Sequence, residues 1–325
     1  MQITFLIKNK NNGMRKIYAT AIMCLMSVTL FAQKENKKEE LDDISLLTDA
    51  STAREKVIAT FKTTRIINMQ SVETVHKRTL DFRVAHRFGA VGKNSGGNAH
   101  NLYGFDNSTD IRIAFEYGIS DKLTIGVSRS KKEENLEGLI KYRVLHQTVD
   151  NHVPLSITLF GSAAYTPKSD NTGIFKVEGE PNAAMRQQIR RLTYTAQAII
   201  ARKFSSKLSL ELVPTIVHRN FILNPLDDNT LFACGLAGRM KLTKSIALVA
   251  DYVYNFSELR KINNDNSLYN PLGAGIEIET GGHVFSIMWT NSAGIIESEF
   301  IPNTTDTWTK GGFRFSFNIS RNFSL

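Results

Sequence analysis

Charged residues alternate with large apolar residues in several stretches of this sequence. Between positions 110 and 117, Asp110, Arg112 and Glu116 alternate with isoleucine, phenylalanine and tyrosine. Successive side chains of a β-strand point to opposite faces, so the pattern predicts strands with one charged and one apolar face. If such strands close into a barrel around the charges, those charges could pair with one another or could select polar solutes.

The predicted polar faces carry ten basic and seven acidic side chains. They are Asp81, Arg83, Arg87, Asp110, Arg112, Glu116, Lys141, Arg143, Arg191, Glu211, Arg219, Arg239, Lys241, Asp251, Glu277, Glu279 and Arg314. Cross-strand pairing among them would make a plug network that fills a small barrel and leaves no open pore. Alternatively, they form the selectivity lining of a narrow water-filled channel, whose basic excess favours anionic solutes. The sequence alone leaves both interpretations open.

The sequence offers little for catalysis or metal binding. His86 and His218 are the candidate catalytic bases, but no GxSxG motif occurs and local spacing places no serine beside either histidine. There is also no CxxC, no HExxH and no complete calcium-binding loop. Gly273 and Gly275 continue into a strand, so they predict curvature or room for lumenal side chains and not a phosphate loop. We therefore predict no catalytic residue, no metal, no cofactor and no enzymatic activity.

The first 32 residues have the layout of a secretory signal peptide. Arg15 and Lys16 precede an apolar run that leads to Ala32, after which we expect cleavage, and Met14 is the more natural start of this signal. An uncleaved anchor is the alternative, although the run is short for a spanning helix. The signal holds four basic and no acidic residues, so the net charge of +9 becomes 9 − 4 = +5 in the mature chain. That charge is too small to indicate nucleic-acid binding.

From Thr79 to the last residue, the hydrophobic pattern keeps a period of two and predicts twelve strands. Their predicted ranges are 79–88, 109–119, 121–130, 136–147, 154–166, 190–203, 207–219, 229–241, 245–256, 270–279, 283–292 and 311–325. Short and long connections largely alternate, and the apolar faces carry almost no charge except Arg129 and Arg202 at strand ends. These features predict an all-β fold, a transmembrane antiparallel up-and-down β-barrel of about 12 strands over residues 78–325. Its turns would be short and periplasmic, its loops longer and extracellular; a soluble β-sandwich is the alternative.

Residues 33–77 precede the predicted barrel, and we expect them to lie in the periplasm or to enter the lumen. Apolar residues recur at three-to-four spacing from Leu46 to Phe61, which predicts a short amphipathic helix that serves as a linker or as a plug. The sequence of residues 65–72 is also typical of a strand, which would be the thirteenth. However, an odd strand count would place the two barrel ends on opposite sides of the membrane, so we exclude it from the wall.

Four sequence motifs together resemble a family of Gram-negative bacterial outer-membrane β-barrels of unknown function. They are HRFG at 86–89, YGFD at 103–106, EYGISDKLTIGVSRS at 116–130 and FRFSFNISRNFSL at 313–325. The similarity runs from about Phe61 to the last residue. It implies a barrel in the outer membrane and brings no established activity or catalytic residue to this chain.

Three functions agree with these observations. The leading one is a passive channel for small polar solutes with a preference for anions. The second is a non-conducting structural or docking barrel that binds another envelope component, and the third is an outer-membrane hydrolase. The predicted partners are outer-membrane lipid, small anionic solutes or another envelope protein, and no nucleic acid.

Overall fold

The computed structural model describes residues 54–92, 96–169, 173–177, 179, 182–222, 224, 226–257, 259 and 268–325. In these ranges, twelve antiparallel strands follow one another around a closed barrel, and β1 pairs with β12 to complete it. The strands are β1 (Thr79–Ala90), β2 (Ser108–Ser120), β3 (Leu123–Ser130), β4 (Leu136–Leu145), β5 (Ser156–Tyr165), β6 (Leu192–Lys203), β7 (Leu208–Arg219), β8 (Thr230–Lys241), β9 (Ile246–Asn255), β10 (Leu272–Thr280), β11 (His283–Thr290) and β12 (Arg314–Ser324). The predicted fold is confirmed. The predicted signal peptide lies outside the described residues.

Every predicted strand is present, and its ends lie within three residues of the predicted ones. The largest difference is at the start of β12, which begins at Arg314 and not at 311. Gly311 has a left-handed backbone (φ 74°), and the amides of Gly311 and Gly312 close a turn onto Trp308 and Thr307. The chain therefore finishes a turn before the strand begins.

The two faces of the wall have the chemistry that the alternation predicts. Fourteen of the seventeen charged residues predicted on the polar faces are buried: Asp81, Arg83, Arg87, Asp110, Arg112, Glu116, Lys141, Arg143, Arg191, Glu211, Arg239, Asp251, Glu277 and Arg314. Large apolar residues such as Phe115, Leu159 and Leu236 lie on the outer face and are about half exposed. Apolar side chains outside and polar ones inside are the arrangement that a barrel adopts in lipid.

The connections divide into two classes that lie at opposite ends of the barrel. The turn end carries the connections 121–122, 146–155, 204–207, 242–245 and 281–282. The loop end carries the connections 91–107, 131–135, 166–191, 220–229, 256–271 and 291–313. Short turns and longer loops therefore alternate around the barrel except at 146–155, a turn-end connection that is longer than the preceding loop 131–135.

Two segments enter the lumen from its two ends. Residues 54–78, which we call the plug, enter at the turn end and run directly into β1. Within the plug, Arg65 and Gln70 form an isolated antiparallel bridge, so the stretch 65–72 turns back inside the lumen and does not join the wall. Residues 291–307, which we call the inward loop, fold in from the loop end.

The predicted amphipathic helix is wrong where the structure describes it, at residues 54–61. Lys56 makes an antiparallel bridge with Thr148, and the Val57 amide donates to the Gln147 carbonyl at 2.9 Å. The backbone of this segment therefore bonds to the β4–β5 connection and not within a helix. Residues 46–53, the rest of the predicted helix, lie outside the described ranges.

Helices play a small part in the described chain. The helix α1 (Ala183–Arg190) lies in the β5–β6 loop, and α2 (Glu297–Asn303) lies in the inward loop. Short 3-10 turns occur at 99–104, 132–134 and 308–310. Among the described residues, no helix is both long and apolar enough to span a bilayer.

Candidate functional site

The lumen is the candidate site, and Lys141 on β4 is one of the groups that hold the plug in it. Its ammonium donates to three plug carbonyls, those of Thr64 at 2.6 Å, Ser71 at 3.1 Å and Glu73 at 3.3 Å. The lysine is fully buried. Because one ammonium satisfies three carbonyls from both arms of the plug, it also brings those arms together.

The returning arm of the plug is held at Val72 by three strands. The Glu211 carboxylate accepts the Val72 amide at 3.2 Å, and the Thr158 hydroxyl donates to the Val72 carbonyl at 2.6 Å. Arg143 donates to the same carbonyl at 3.2 Å and to the Glu73 carboxylate at 2.7 Å. Wall side chains thus supply the hydrogen bonds that this irregular backbone needs when it is buried.

The tip of the plug is held through Asn68. The Asp251 carboxylate accepts the Asn68 amide at 2.5 Å, the Asn68 side-chain amide at 2.7 Å and the Met69 amide at 3.0 Å. Arg87 donates to the Asn68 side-chain oxygen at 2.9 Å, as does the Thr290 hydroxyl at 3.2 Å. One plug side chain therefore bridges β1, β9 and β11.

The entering arm of the plug meets a charged group near Thr64. Its hydroxyl donates to Glu116 at 2.7 Å and accepts from Arg83 at 3.0 Å. Arg83 also pairs with Asp81 at 2.7 Å, and the Ser320 hydroxyl donates to Asp81 at 2.5 Å. Charges on β1 and β2 thus surround this part of the plug.

Two wall glycines make room for apolar plug side chains. A Cβ atom at Gly235 would lie 2.3 Å from the Met69 methyl carbon, and one at Gly273 would lie 2.6 Å from Ile67 Cγ2. At either position a Cβ atom would force the facing plug side chain to move. These positions are matched in shape to the plug.

Arg65 joins the plug to the inward loop. Its guanidinium pairs with Glu297 at 2.8 Å and donates to the Ile295 carbonyl at 2.9 Å, and both charged side chains are fully buried. The Ile295 amide donates to Asp110 on β2 at 3.1 Å. Segments that enter from opposite ends therefore meet at one ion pair inside the barrel.

The inward loop closes the loop end with apolar residues around a buried acid. Ile295, Ile296, Phe300 and Ile301 are all buried. Glu299 accepts from the Asn135 side chain at 3.0 Å, and burial raises its pKa to about 7 although Lys132 opposes the shift. The loop is thus docked most firmly when this carboxyl is protonated.

The remaining predicted residues bond within the wall or to loops. Arg112 pairs with Glu137 at 3.0 Å, and Arg239 pairs with Glu277 at 2.7 Å and with Glu279 at 2.5 Å. Three arginines bond to the connections at the loop end. Arg314 pairs with Asp306, and Arg219 pairs with Asp227. Arg191 donates to the carbonyls of Thr166 and Lys168. Some of the predicted charges therefore pair with each other, and others hold the plug.

Several groups of this site were missed at the sequence level. Glu137 follows the same alternation as Lys141 and could have been found from it. The plug residues Arg65 and Asn68 carry no local signal, because their acidic partners Glu297 and Asp251 lie more than a hundred positions away in the chain. Asn68 in particular is a residue type that is common in ordinary polar turns.

Among the described residues, no serine forms a hydrogen bond with either candidate catalytic histidine. His86 lies against the rings of Phe88 and Phe317, with centroid distances of 4.3 and 5.4 Å. His218 bonds to the Thr230 hydroxyl at 2.8 Å on the outer face. Within the described part of the chain, no group of three or more histidine, cysteine, aspartate or glutamate side chains could hold a metal ion.

Replacing Lys141 with methionine is expected to loosen the plug without unfolding the wall. The change leaves the Ser71 and Glu73 carbonyls without a donor, while the Thr64 carbonyl keeps the Ser71 amide, and each unsatisfied group costs about 1–3 kcal/mol. Hydrogen exchange of the 64–73 amides should accelerate at least tenfold, while the strand amides keep their rates. The control is Lys168→Met, which removes an exposed lysine paired with Glu133. Equal acceleration in plug and strands would contradict a local role for Lys141.

The inward loop is expected to loosen as pH rises. A carboxyl whose pKa is raised from 4.5 to about 7 favours the docked loop fully below 4.5, and this stability is lost as pH rises to about 7. At about 1.4 kcal/mol per pH unit, the loss is roughly 3 kcal/mol. Fluorescence of the adjacent Trp308, in a Trp289→Phe background, should report the transition. Glu299→Gln should abolish it, and an unchanged transition in that variant would assign it to another group.

Comparisons with known proteins give a family and a set of similar shapes. The family model described as "Membrane bound beta barrel domain (DUF5777)" matches residues 61–323. No curated protein matches the chain.

Among solved structures, the NanC porin has 7% identity and a TM-score of 0.44, covering 76% of this chain and 100% of that one. The KdgM porin, solved with disordered oligogalacturonate, has 7% identity and a TM-score of 0.43, covering 75% and 99%. Omp33 of Acinetobacter baumannii has 9% identity and a TM-score of 0.39, covering 78% and 100%. Similarities this low carry no information about the solute or activity of this chain.

Proposed function

This chain belongs to the family of membrane-bound β-barrel domains, and from that premise we propose that it is a gated passage of the outer membrane. At rest it is closed by its own plug, and small polar solutes cross once the plug leaves the lumen. The observation that carries this proposal is the occupied lumen, in which buried plug residues 64–72 are held by wall charges. The proposal refines the predicted passive channel, since it places a gate in the channel.

The arrangement of the connections supports the orientation. Outer-membrane barrels have short turns on the periplasmic side and longer loops outside. The turn end then faces the periplasm, the plug enters from that side, and the inward loop faces the exterior. A signal from either compartment therefore has a segment that it can reach.

The polarity of the lumen favours a plug that can move, as opposed to a core that stays in place permanently. Replacing buried charged groups by apolar residues of similar volume is often neutral or stabilising, so a permanently dry lumen does not require fourteen charged residues. A wall that meets water whenever the plug leaves does require them. The plug is also covalently joined to the barrel only at Thr79, so it can move out and remain attached.

The basic excess supports a preference for anions. Plug removal would free Lys141, Arg143 and Arg87 from plug acceptors, and it would free Glu211 and Asp251 from plug donors. The predicted lumenal set as a whole holds ten basic and seven acidic side chains. The opened passage would therefore attract anions more than cations.

Current across a planar bilayer tests this proposal. The mature chain, residues 33–325, should be silent, and a chain that lacks residues 54–75 should give unitary steps. Under a tenfold KCl gradient, the reversal potential should show anion preference, and replacement of Arg83, Arg112 and Arg143 by glutamine should reduce it. Silence from the shortened chain, with circular dichroism showing an intact barrel, would contradict the gate.

The second candidate is a non-conducting docking barrel, and the complete bonding of the plug backbone favours it. The carbonyls of Thr64, Ser71, Val72 and Glu73 are all satisfied by wall side chains, as in a permanent core. In that case the plug would stay in place in every functional state. The shortened chain would then remain silent or fail to fold, which separates the two candidates.

A further inference from the structure

Two arginines at the loop end of the lumen have unused hydrogen-bond donors. Arg87 and Arg314 are 2% and 3% exposed, and each is bonded through a single nitrogen, to Asn68 and to Asp306 respectively. In both, Nε and Nη1 find no partner among the described residues, and neither does the hydroxyl of Ser316. A buried guanidinium with two unused donor nitrogens is costly unless something accepts from it.

These three side chains lie together on the inner face of two paired strands. Arg87 on β1 lies directly opposite Ser316 on β12, and Ala90 lies opposite Arg314 after an irregularity in the register. Arg314 is close enough to Arg87 to repel its charge. Two like charges are therefore held side by side next to a hydroxyl.

The nearest acids do not use these donors. Asp110 accepts from the Ser130 hydroxyl and from the amides of Lys132 and Ile295. The oxygens of Asp251 accept from the plug groups at its tip. Asp306 reaches only one nitrogen of Arg314. Asp110 and Asp251 attract the charge of Arg87 more strongly than Arg314 repels it, yet four guanidinium nitrogens of the pair have no acceptor among the described residues.

We propose that Arg87, Arg314 and Ser316 form a binding site for a small oxyanion such as inorganic phosphate. In each arginine the unused Nε and Nη1 lie on different edges of the guanidinium, so a two-point contact pairs one of them with the second hydrogen of Nη2. Two such contacts and the Ser316 hydroxyl can surround the anion. The side chains face the lumen and not the lipid, which selects a free anion over a lipid headgroup. Asp306, whose side chain is 23% exposed, covers Arg314 and marks the entry from the loop end.

This inference rests on the proposed gated passage, since it names a class of solute, small oxyanions, that would bind at the loop end of the closed passage. Arg87 donates to the plug tip through the Asn68 oxygen. An anion that takes the second hydrogen of Arg87 Nη2 shares with Asn68 the nitrogen that holds the plug tip, and it weakens that contact. The site thereby couples an external anion to the plug.

Isothermal titration of the purified mature chain with potassium phosphate, against KCl of equal ionic strength, tests the site. We expect saturable binding of one phosphate, weakened more than tenfold by Arg314→Gln and severalfold by Ser316→Ala. Arg314→Lys keeps the charge but loses the fork, so it should also bind more weakly. The control is Arg239→Gln, because the fork of Arg239 is already occupied by Glu277 and Glu279.

Crystals soaked in selenate should show anomalous density between Arg87 and Arg314. Absence of saturable binding, or an equal loss in Arg239→Gln, would overturn the site and leave its donors to water. Binding is measured on the closed barrel without current. If the mature chain binds phosphate and the shortened barrel is silent, only the gate is rejected. If the shortened barrel conducts and the mature chain binds no phosphate, only the site is rejected.

Discussion

Leucine in place of Gly235 is expected to turn a silent barrel into a conducting one. The new side chain occupies the space of the Met69 methyl group, which would lie 2.3 Å from its Cβ atom. Overpacking of this kind costs about 1–3 kcal/mol, and the plug can relieve it by leaving, whereas the hydrogen-bonded wall cannot. Single-channel recording in planar bilayers should show frequent openings where the unmodified chain shows almost none.

The matched control for this change is Gly138→Leu. Gly138 also lies in a strand, but its side faces outward and a Cβ atom there would meet nothing within 4 Å. Leucine at that position adds the same volume on the lipid side and should leave the barrel silent. If both variants conduct equally, the current comes from a general weakening of the wall and not from release of the plug.

Replacement of Arg65 by methionine is expected to be the most destabilising single change in the plug. It leaves Glu297 buried without its partner, and removal of one member of a buried ion pair costs about 3–5 kcal/mol. The free energy of unfolding, from urea titration in detergent micelles, should fall by that amount. The plug should also lose its contact with the inward loop, so brief openings should appear in bilayer recordings.

Two further variants calibrate the Arg65 result. Arg65→Met combined with Glu297→Gln removes both charges and should recover part of the lost stability. Arg54→Met breaks the pair with Asp150, whose side chains are 50% and 52% exposed at 3.4 Å, and should cost less than about 1 kcal/mol. A loss at Arg65 no larger than that at Arg54 would contradict the importance of the buried pair.

The wall could be predicted from the sequence because its signal is local. In β2, for example, alternation from Asp110 to Tyr117 fixes which side chains face inward, and the membrane enforces that alternation along every strand. The same periodicity is enough to identify the charged residues that face the lumen. It does not identify the partner of each charge, because pairing depends on how neighbouring strands and the plug meet in space.

The plug and the inward loop could not be predicted because their folding depends on distant residues. Thr64, Asn68 and Ser71 are polar yet fully buried, and their hydrogen-bond partners lie on strands far along the chain. Without the surrounding wall, the segment from Leu46 to Phe61 has helical spacing, but its described end bonds to the β4–β5 connection instead. In the inward loop, the sequence does contain a signal for burial, because large apolar residues such as Ile295, Ile296 and Phe300 are uncommon in a solvated loop.

The most direct test of the central claim locks the plug to the wall and measures current. Because a Cβ atom at Gly273 would lie 2.6 Å from Ile67 Cγ2, the two Cβ atoms would lie within about 4 Å, which suits a disulfide. Ile67→Cys and Gly273→Cys are introduced with Arg65→Met, in a Cys234→Ala background. The account predicts silence when the pair is oxidised and openings after reduction. Equal current in both states would show that ions do not pass where the plug lies, and would contradict the gate.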